Sequence, residues 1–246
     1  MQATLRSEEA MAVDAVRAID VIAEVVRDAR PGETPARLCA AAVKLLPVVG
    51  ASVSLRSSGM SLRLAANNSM ASYLAELQAT LGDGPWLCAY ESGAPVLACD
   101  LTAGRNMHRW PLFARQATAV GVQAVYSMPL GSDDGLTVGT LDLYRDTPGE
   151  LTEDELRRAQ LLAAVMTLAL TTLPREESGS GEEAWLGGLA TEHDEVYQAI
   201  GMLMAQLGVD ADEASARLRA RAFAQGRTAL EVAHDVVSHR ERLDGD

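Results

Sequence analysis

A polar segment at residues 174–183 is the feature that most constrains how this chain folds. It reads PREESGSGEE and holds no apolar side chain, so it adds nothing to a buried core and is typical of a linker. We therefore predict a linker at 174–183 that joins a larger N-terminal body, residues 10–173, to a small C-terminal tail, residues 184–243. With 246 residues, the chain is long enough for two units that each bury a core.

The body mixes helical and strand periodicities. Apolar and polar residues alternate over 52–56 and over 61–64, and the Ser-Ser-Gly run 57–59 between them predicts a β-hairpin. Further strands are predicted at 95–99, 124–130 and 137–144. Short helices are predicted near 70–80, 85–92 and 111–119. Helices and meandering strands in this order predict an α+β fold, with an antiparallel sheet and flanking helices.

The two helices at the ends of the body carry apolar stripes with heptad spacing. The stripe of the first helix is Ala12, Val16, Ile19, Ala23 and Val26. The stripe of the last helix is Leu156, Ala159, Ala163, Met166, Leu170 and Leu173. A capping box of Thr152 and Glu155 starts the last helix. Two interpretations stay open: the last helix packs on its own sheet, or both stripes meet a second copy in a four-helix homodimer interface.

The tail shows the start and stop signals of three short helices. The first is predicted from about Glu192 to Leu207, and its apolar stripe is Val196, Ile200, Leu203 and Leu207. The predicted capping boxes are Asp210 with Glu213 and Thr228 with Glu231, and the predicted stop signals are Gly208 and Gly226. These signals, close together in the sequence, predict a compact three-helix unit.

The middle helix of the tail contains a basic stretch, although the chain has a formal net charge of −13. No acid lies between Glu213 and Glu231, and this stretch contains four arginines: Arg217, Arg219, Arg221 and Arg227. We call these four residues the arginine island. A cluster of guanidinium groups without nearby acids favours contact with an anionic partner, of which the phosphates of a nucleic acid are one.

A phenylalanine lies within the arginine island. At about 100° per residue, Ala214, Leu218 and Ala222 share one face of the helix, and Phe223 lies on roughly the opposite face. If Leu218 faces the core, Phe223 is exposed beside small alanines and arginines, which suits stacking on unpaired bases. The alternative is that Phe223 covers the body or a second subunit and the arginines form a solvated face.

Composition limits the remaining classes of function. The longest uncharged apolar run, residues 159–173, is shorter than the ~20 residues that span a bilayer. No signal peptide is visible, and Cys39, Cys88 and Cys99 lack a CxxC spacing, which is typical of reduced thiols. We expect a cytoplasmic protein with no membrane span, no cofactor and no metal site.

The body resembles a GAF domain. The resemblance rests on GDGPWLCAYESGAPVLACDL (82–101), RWPLFA (109–114), AVYSMPL (124–130) and VGTLDLYRD (138–146). It implies a six-stranded sheet with helices that senses a small-molecule or protein signal and forms dimers. Asp83, Asp100 and Asp142 are candidate contacts for such a ligand, and the sequence does not select among them.

The tail resembles the ANTAR family, the RNA-binding modules of transcription antitermination regulators. The motif is QAIGMLMAQLGVDADEASARLRARAFAQGR followed by LEVAHDVV. The resemblance implies a small all-α three-helix domain that binds hairpins in nascent transcripts. The predicted RNA-binding residues are Gln198, Ala199, Gly201, Arg217, Arg219, Ala220, Phe223 and Arg227. Ile200 stands where many members carry lysine.

The sequence therefore predicts a regulator that combines a GAF sensor with an ANTAR output, works as a homodimer and has no catalytic role. A second hypothesis is that the tail binds a protein instead of RNA. A third is a thiol-dependent reductase of free methionine sulfoxide that uses Cys88 or Cys99. No lysine lies near either cysteine in the sequence, which argues against a lowered thiol pKa and favours buried structural thiols.

Overall fold

A computed structural model of the protein describes residues 18–57, 60–131, 136–171 and 194–243. The predicted linker 174–183 lies outside the described residues, as do Ala12 and Val16 of the first apolar stripe. Ser58 and Gly59 of the predicted hairpin turn lie outside them too. The boundaries of the body, linker and tail therefore stay predictions.

One antiparallel sheet forms the centre of the body. Its strands are β1 (Gly50–Ser57), β2 (Met60–Ala66), β3 (Val96–Ala98), β4 (Ala124–Gly131) and β5 (Thr137–Arg145). Their order across the sheet is β2-β1-β5-β4-β3, and every neighbouring pair is antiparallel. The predicted hairpin and the three further strands are confirmed. The implied count of six strands is wrong for the described part of the chain, which forms five.

Helices cover both faces of this sheet. In the described part of the body they are α1 (residues 18–27), α2 (Thr34–Leu45), α3 (Ser69–Leu81), α4 (Pro85–Ser92), α5 (Gly104–Arg109), α6 (Pro111–Ala119) and α7 (Glu153–Thr171). The helices predicted near 70–80, 85–92 and 111–119 are confirmed, whereas the short helix α5 was not predicted. A 3₁₀ turn over Pro31–Glu33 precedes α2.

The last helix of the body packs on its own sheet. Ala159, Ala163, Met166 and Leu170 of its stripe are buried in one core with α1, α2 and the sheet. The capping box is confirmed, since Thr152 N–H donates to Glu155 Oε2 at 2.7 Å and Glu155 N–H donates to Thr152 Oγ1 at 3.3 Å. The four-helix interface therefore cannot use this stripe. On α1, the predicted stripe residue Ile19 is 52% exposed, and Ala18 and Ile22 are buried instead.

Three helices form the described part of the tail: α8 (Asp194–Leu207), α9 (Ala211–Gln225) and α10 (Ala229–Val237). Asp210 Oδ1 accepts from Glu213 N–H at 2.9 Å, but the Glu213 side chain pairs with Arg217, so only half of that predicted capping box forms. The box of Thr228 and Glu231 is complete. Gly208 and Gly226 end their helices as predicted.

The tail packs on α3 of the body. Both α9 and α10 contact α3, and Leu62 of β2 belongs to the same buried cluster as the tail core. The Ala229 N–H at the start of α10 donates to Thr80 Oγ1 of α3 at 2.9 Å. This contact places α9, which carries Arg217, Arg219 and Arg221 of the arginine island, beside the C-terminal end of α3.

Candidate nucleic-acid interface

The buried face of α9 fixes which residues are exposed. Ala214, Leu218 and Ala222 are fully buried against α8 and α10. Each residue turns the helix by about 100°, so Phe223 leaves the core although Ala222 lies in it. Phe223 is 53% exposed, which confirms the predicted orientation of this side chain. An aromatic ring of this exposure is available to a partner molecule.

Three arginines of the island pair with carboxylates. Arg217 Nε lies 2.7 Å from Glu213 Oε1, and Arg221 Nε lies 2.6 Å from Glu241 Oε1. Arg227 Nη2 lies 2.7 Å from Asp235 Oδ2, and this hydrogen bond is the largest cause that lowers the pKa of Asp235. Two of these acids lie beyond the acid-free stretch in the sequence. The island that is purely basic in sequence is therefore largely neutralised in the fold.

Arg219 turns away from the other arginines and contacts the body. A Cβ placed on Gly82 at the end of α3 would overlap the Arg219 guanidinium, so glycine permits this close approach. Gly82 also has φ +62°, a left-handed conformation that favours glycine. Arg219 thus contacts the body instead of standing free on the surface, and its role in RNA binding stays a prediction.

The remaining predicted residues divide between surface and core. Gln198 and Gly201 are exposed three positions apart on α8, which places them on one face, and Ala220 is exposed on α9. Ala199 is fully buried, so its side chain packs in the tail core and cannot contact RNA. Ile200 is only 8% exposed, so an apolar residue there fits the core that it helps to form.

Phe223 borders a cleft between tail and body with a volume of about 560 Å³. The body contributes Tyr73 and Leu77 from α3, and Leu112 and Arg115 from α6. The tail side of the cleft continues through Gln225, Arg227, Thr228 and Glu231. Phe223 thus has a wall of the body opposite it and remains more than half exposed.

A row of polar side chains crosses the sheet inside the body. Asp142 of β5 lies opposite Ser52 of β1 and Ser127 of β4, and all three are fully buried. Gln78 Nε2 of α3 donates to Asp142 Oδ2 at 3.4 Å, but Asp142 Oδ1 has no hydrogen-bond partner in the described part of the chain. The structure thus singles out Asp142 among the three candidate aspartates, since Asp83 is exposed and Asp100 is only partly buried.

The environment of Asp142 perturbs its ionisation. Burial raises the pKa of its carboxyl to about 7, because a charge is costly in a low dielectric, and neighbouring polar side chains oppose the rise. Of these neighbours, only the Gln78 amide has hydrogen-bond geometry. A buried carboxyl whose pKa is shifted in this way is a candidate contact for a ligand.

The three thiols lie in different surroundings. Burial, and then Asp142, raises the pKa of Cys39 to about 12. Burial, and then Glu150, raises the pKa of Cys99. Cys88 is partly buried, and its Sγ lies 3.2 Å from Arg109 Nη2. Sequence neighbours alone are therefore a poor guide to the surroundings of Cys88, because a chain segment 21 positions away supplies a cation.

Two properties of the described residues bear on the class of function. These residues bring together no group of three or more histidine, cysteine, aspartate or glutamate side chains that could hold a metal ion. Within the same part of the chain, every helix is too short or too polar to cross a membrane.

Comparison with known families assigns both parts of the chain. A family model for the GAF domain matches residues 29–171, more than half of the chain, and this protein therefore belongs to the GAF domain family. A model for the ANTAR domain matches residues 190–237. The antiparallel sheet with flanking helices is thus a GAF fold, and a helical C-terminal region that matches ANTAR follows it. Both are domains of regulatory proteins. No curated protein matches the chain.

Solved structures share the fold. The GAF domain of a phosphoenolpyruvate-protein phosphotransferase from Coxiella burnetii is 16% identical with a TM-score of 0.50, and the match covers 65% of this chain and 94% of that one. A free methionine-R-sulfoxide reductase from Neisseria meningitidis, solved with its substrate, is 15% identical with a TM-score of 0.49, over 65% and 89%. At such identities the likeness concerns the fold alone.

Sequence reasoning named Asp142 without selecting it among three aspartates, and it missed the partners of the arginines. A signal for Asp142 was present, because a charged residue between Leu141 and Leu143 in a strand has to be either paired or functional. The pairing of Arg221 with Glu241, 20 positions away, left no comparable signal. It depends on the path of the chain after α10.

Proposed function

We propose that this protein is a signal-responsive, RNA-binding regulator of transcription antitermination. The body, residues 10–173, receives a small-molecule or protein signal, and the tail, residues 184–243, binds hairpins in nascent RNA across the linker 174–183. The GAF and ANTAR matches support this division. With nascent RNA as its ligand, the protein would act in the cytoplasm.

The exposed ring of Phe223 carries this proposal. Unpaired bases of a hairpin loop stack on aromatic side chains, and such stacking contributes ~1–3 kcal/mol per base. Phe223 is 53% exposed beside Ala220 and Ala224, which are small and exposed and leave room for a base to approach. An exposed phenylalanine without a partner molecule lowers solubility, so a binding role explains its presence better than stability does.

The proposed RNA surface differs in part from the one that the sequence predicts. Gln198, Gly201, Ala220 and Phe223 are exposed and keep their proposed role. Ala199 supports that surface from the core. Arg217 and Arg227 also keep their role, but a phosphate has to displace the carboxylate partner of each. Salt should therefore weaken RNA binding less steeply than it would for four free arginines. The slope of log affinity against log salt concentration is about one unit for each phosphate that an arginine neutralises.

We propose that the active form is a homodimer that contacts RNA twice. The stripe of α7 is buried in its own core, so the interface would use the exposed side of α1, where Ile19 is 52% exposed and Ala23 is also exposed. Two linked binding sites raise the apparent affinity without any new contact. This arrangement suits a tail whose arginines are largely neutralised.

The pairing of the arginines favours one second candidate, a tail that binds protein. The island presents little net charge, and α9 and α10 already pack on α3 of the same chain. In that case the tail would exchange its contact with the body for a similar contact with a partner protein. Failure of the RNA experiment below would favour this candidate.

The thiols have a structural role in this proposal, and the protein has no catalytic role. A reductase of free methionine sulfoxide needs a thiolate, and burial raises the pKa of Cys99 against that form. Cys88→Ala and Cys99→Ala should therefore leave RNA binding intact. A methionine sulfoxide turnover that either substitution abolishes would contradict this assignment.

A selection from a pool of RNA hairpins tests the proposal. The full chain is mixed with hairpins that carry randomised loops at low salt, and bound RNA is sequenced. We expect enrichment of particular loops, and Phe223→Ala should then weaken binding of the best hairpin by about tenfold or more. Binding of a duplex without a loop should change little.

Val120→Ala is the matched control. Val120 is 43% exposed, but it lies at the end of α6 outside the cleft, so its truncation should leave the affinity unchanged. Circular dichroism of the Phe223 variant should keep the helical signal of the wild type. If the wild type enriches no hairpin, or if both variants lose affinity equally, the RNA-binding proposal is wrong.

A further inference from the structure

A small cavity lies at the junction between body and tail, beside Arg219 of α9. Its volume is about 180 Å³. The body lines it with Arg56 and Ser61 of the β1–β2 hairpin, Gly82 at the end of α3, and Trp86 of α4, and the tail lines it with Arg219 of α9. Both domains thus build this cavity.

Two residues that line the cavity carry buried donors without an acceptor among the described residues. Trp86 is 4% exposed, and its indole Nε1–H has no hydrogen-bond partner among the described residues. The Nε–H of Arg219 is also buried without a partner there. A buried donor without an acceptor costs ~1–3 kcal/mol, and more when it is charged. Both donors belong to residues that line the same cavity, and the described residues supply an acceptor to neither.

Arg219 also lacks a counter-ion, unlike the rest of the island. Arg217, Arg221 and Arg227 each have a carboxylate within 4 Å, but the described part of the chain offers none to Arg219. The close approach to Gly82 holds its guanidinium against the body. A guanidinium placed in this way suits an oxyanion, which it binds through parallel hydrogen bonds.

Arg56 adds a second positive charge to the cavity. Its guanidinium stacks over the Tyr90 ring, 5.1 Å from the centroid, and the nearest carboxylate, on Glu91, is 3.8 Å away and largely exposed. That pair is weak because water and ions screen it. Arg56 therefore keeps hydrogen-bonding capacity for a ligand, and the hydroxyl of Ser61 offers a further donor or acceptor.

We propose that this cavity binds a small oxyanion, a phosphate or a small carboxylate, between the body and the tail. Arg56 and Arg219 supply the charge, and the Trp86 indole N–H supplies a directional hydrogen bond. The cavity fits an ion of this size but not a nucleic-acid strand. A bound ion would join α9 to the body, because its two arginine ligands come from different domains. This binding does not depend on the proposed RNA function.

Nuclear magnetic resonance of the full chain tests the proposal. The indole N–H signal of Trp86 is assigned by its loss in Trp86→Phe, and the protein is then titrated separately with inorganic phosphate and with succinate at constant ionic strength. We expect one of the two anions to shift this signal saturably with one site per chain. The anion that does so distinguishes phosphate from carboxylate as the source.

Two variants of α9 separate a built site from general attraction to a charged surface. Arg219→Gln should weaken anion binding about tenfold or more, the effect of losing a charged hydrogen-bonding group. Arg221→Gln removes the same charge two positions away, from a residue that pairs with Glu241, and should leave the affinity unchanged. Arg56→Gln should weaken binding without disturbing the contact of α9 with the body.

Several results would overturn the proposal. One is the absence of a saturable shift of the Trp86 signal with either anion up to about 10 mM, since weaker binding would not be specific. Another is equal weakening in Arg219→Gln and Arg221→Gln. A third is a combination of two results: Arg56→Gln binds the anion as tightly as the wild type, and Arg219→Gln loses the contact between body and tail. The effect of Arg219→Gln would then come from disrupted packing.

Discussion

The body has apolar layers on both faces of its sheet, whereas the tail has one small core in which five of thirteen buried residues are alanine. One of those thirteen, Leu62, belongs to the body. A unit of ~60 residues buries a smaller fraction of its surface than a larger domain and is only marginally stable. The tail therefore depends on its helix caps and on its contact with α3 of the body.

The two regions also differ in how they hold charge. The body encloses a carboxyl, Asp142, that has no cation beside it among the described residues, and burial shifts its pKa towards neutrality. The tail leaves its charges at the surface and pairs them, as Arg221 with Glu241 and Arg227 with Asp235. Stability of the body should therefore depend on pH between about 4 and about 7, whereas the partly exposed ion pairs of the tail contribute little.

The largest expected effect concerns Asp142 in the body. Its pKa of about 7 in the folded state lies above the usual value of 3.8, so the folded state retains a proton that the unfolded state releases. Stability should fall as pH rises from about 4 to about 7, by on the order of 4 kcal/mol, and then level off. Asp142→Asn should remove this slope, measured by urea unfolding across that range of pH.

Asp83→Asn is the control for this pH dependence. Asp83 is exposed, so its substitution should leave the slope as in the wild type. The difference between the two variants isolates the buried carboxyl from all other titrating groups. An unchanged slope in Asp142→Asn would mean that the carboxyl is ionised and stabilised in the folded protein.

Truncation of matched core leucines should separate the two regions. Leu218→Ala in the tail and Leu141→Ala in the body each open a fully packed site, at a cost of ~3 kcal/mol. In the tail this loss should melt all three helices, whereas the body should stay folded with a lower midpoint of unfolding. Limited proteolysis detects whether the tail stays folded, and circular dichroism measures the midpoint of unfolding of the body. A tail that stays folded after Leu218→Ala would contradict its marginal stability.

Local signals in the sequence predicted most elements of both regions. Caps such as Thr152 and Thr228 and the alternation over 52–56 depend on neighbours within a few positions, and the structure confirms them. The contact of Arg219 with Gly82 and the burial of Asp142 depend on how distant segments pack. The exposure of Phe223 was predictable because the apolar pattern of its helix identified the core face. The wall of the body that faces Phe223 was not predictable from the sequence.

The smallest effects concern the capping boxes, one in each region. Thr152→Ala and Thr228→Ala each remove a hydrogen bond to a helix N-terminus, at a cost of ~1 kcal/mol. The loss should fray α10 and expose the tail to protease, because the tail has little stability in reserve. The body should resist the same loss. Equal protease sensitivity of both variants would contradict the predicted difference in stability between body and tail.

Cross-linking of bound RNA tests the central claim most directly. The full chain is irradiated in complex with its selected hairpin and digested with trypsin, which releases residues 222–227 between Arg221 and Arg227 as one peptide containing Phe223. Mass spectrometry then locates the attached nucleotide. The account predicts a loop nucleotide on this peptide. Nucleotides attached only to peptides of the body, or only to other parts of the tail, would contradict it.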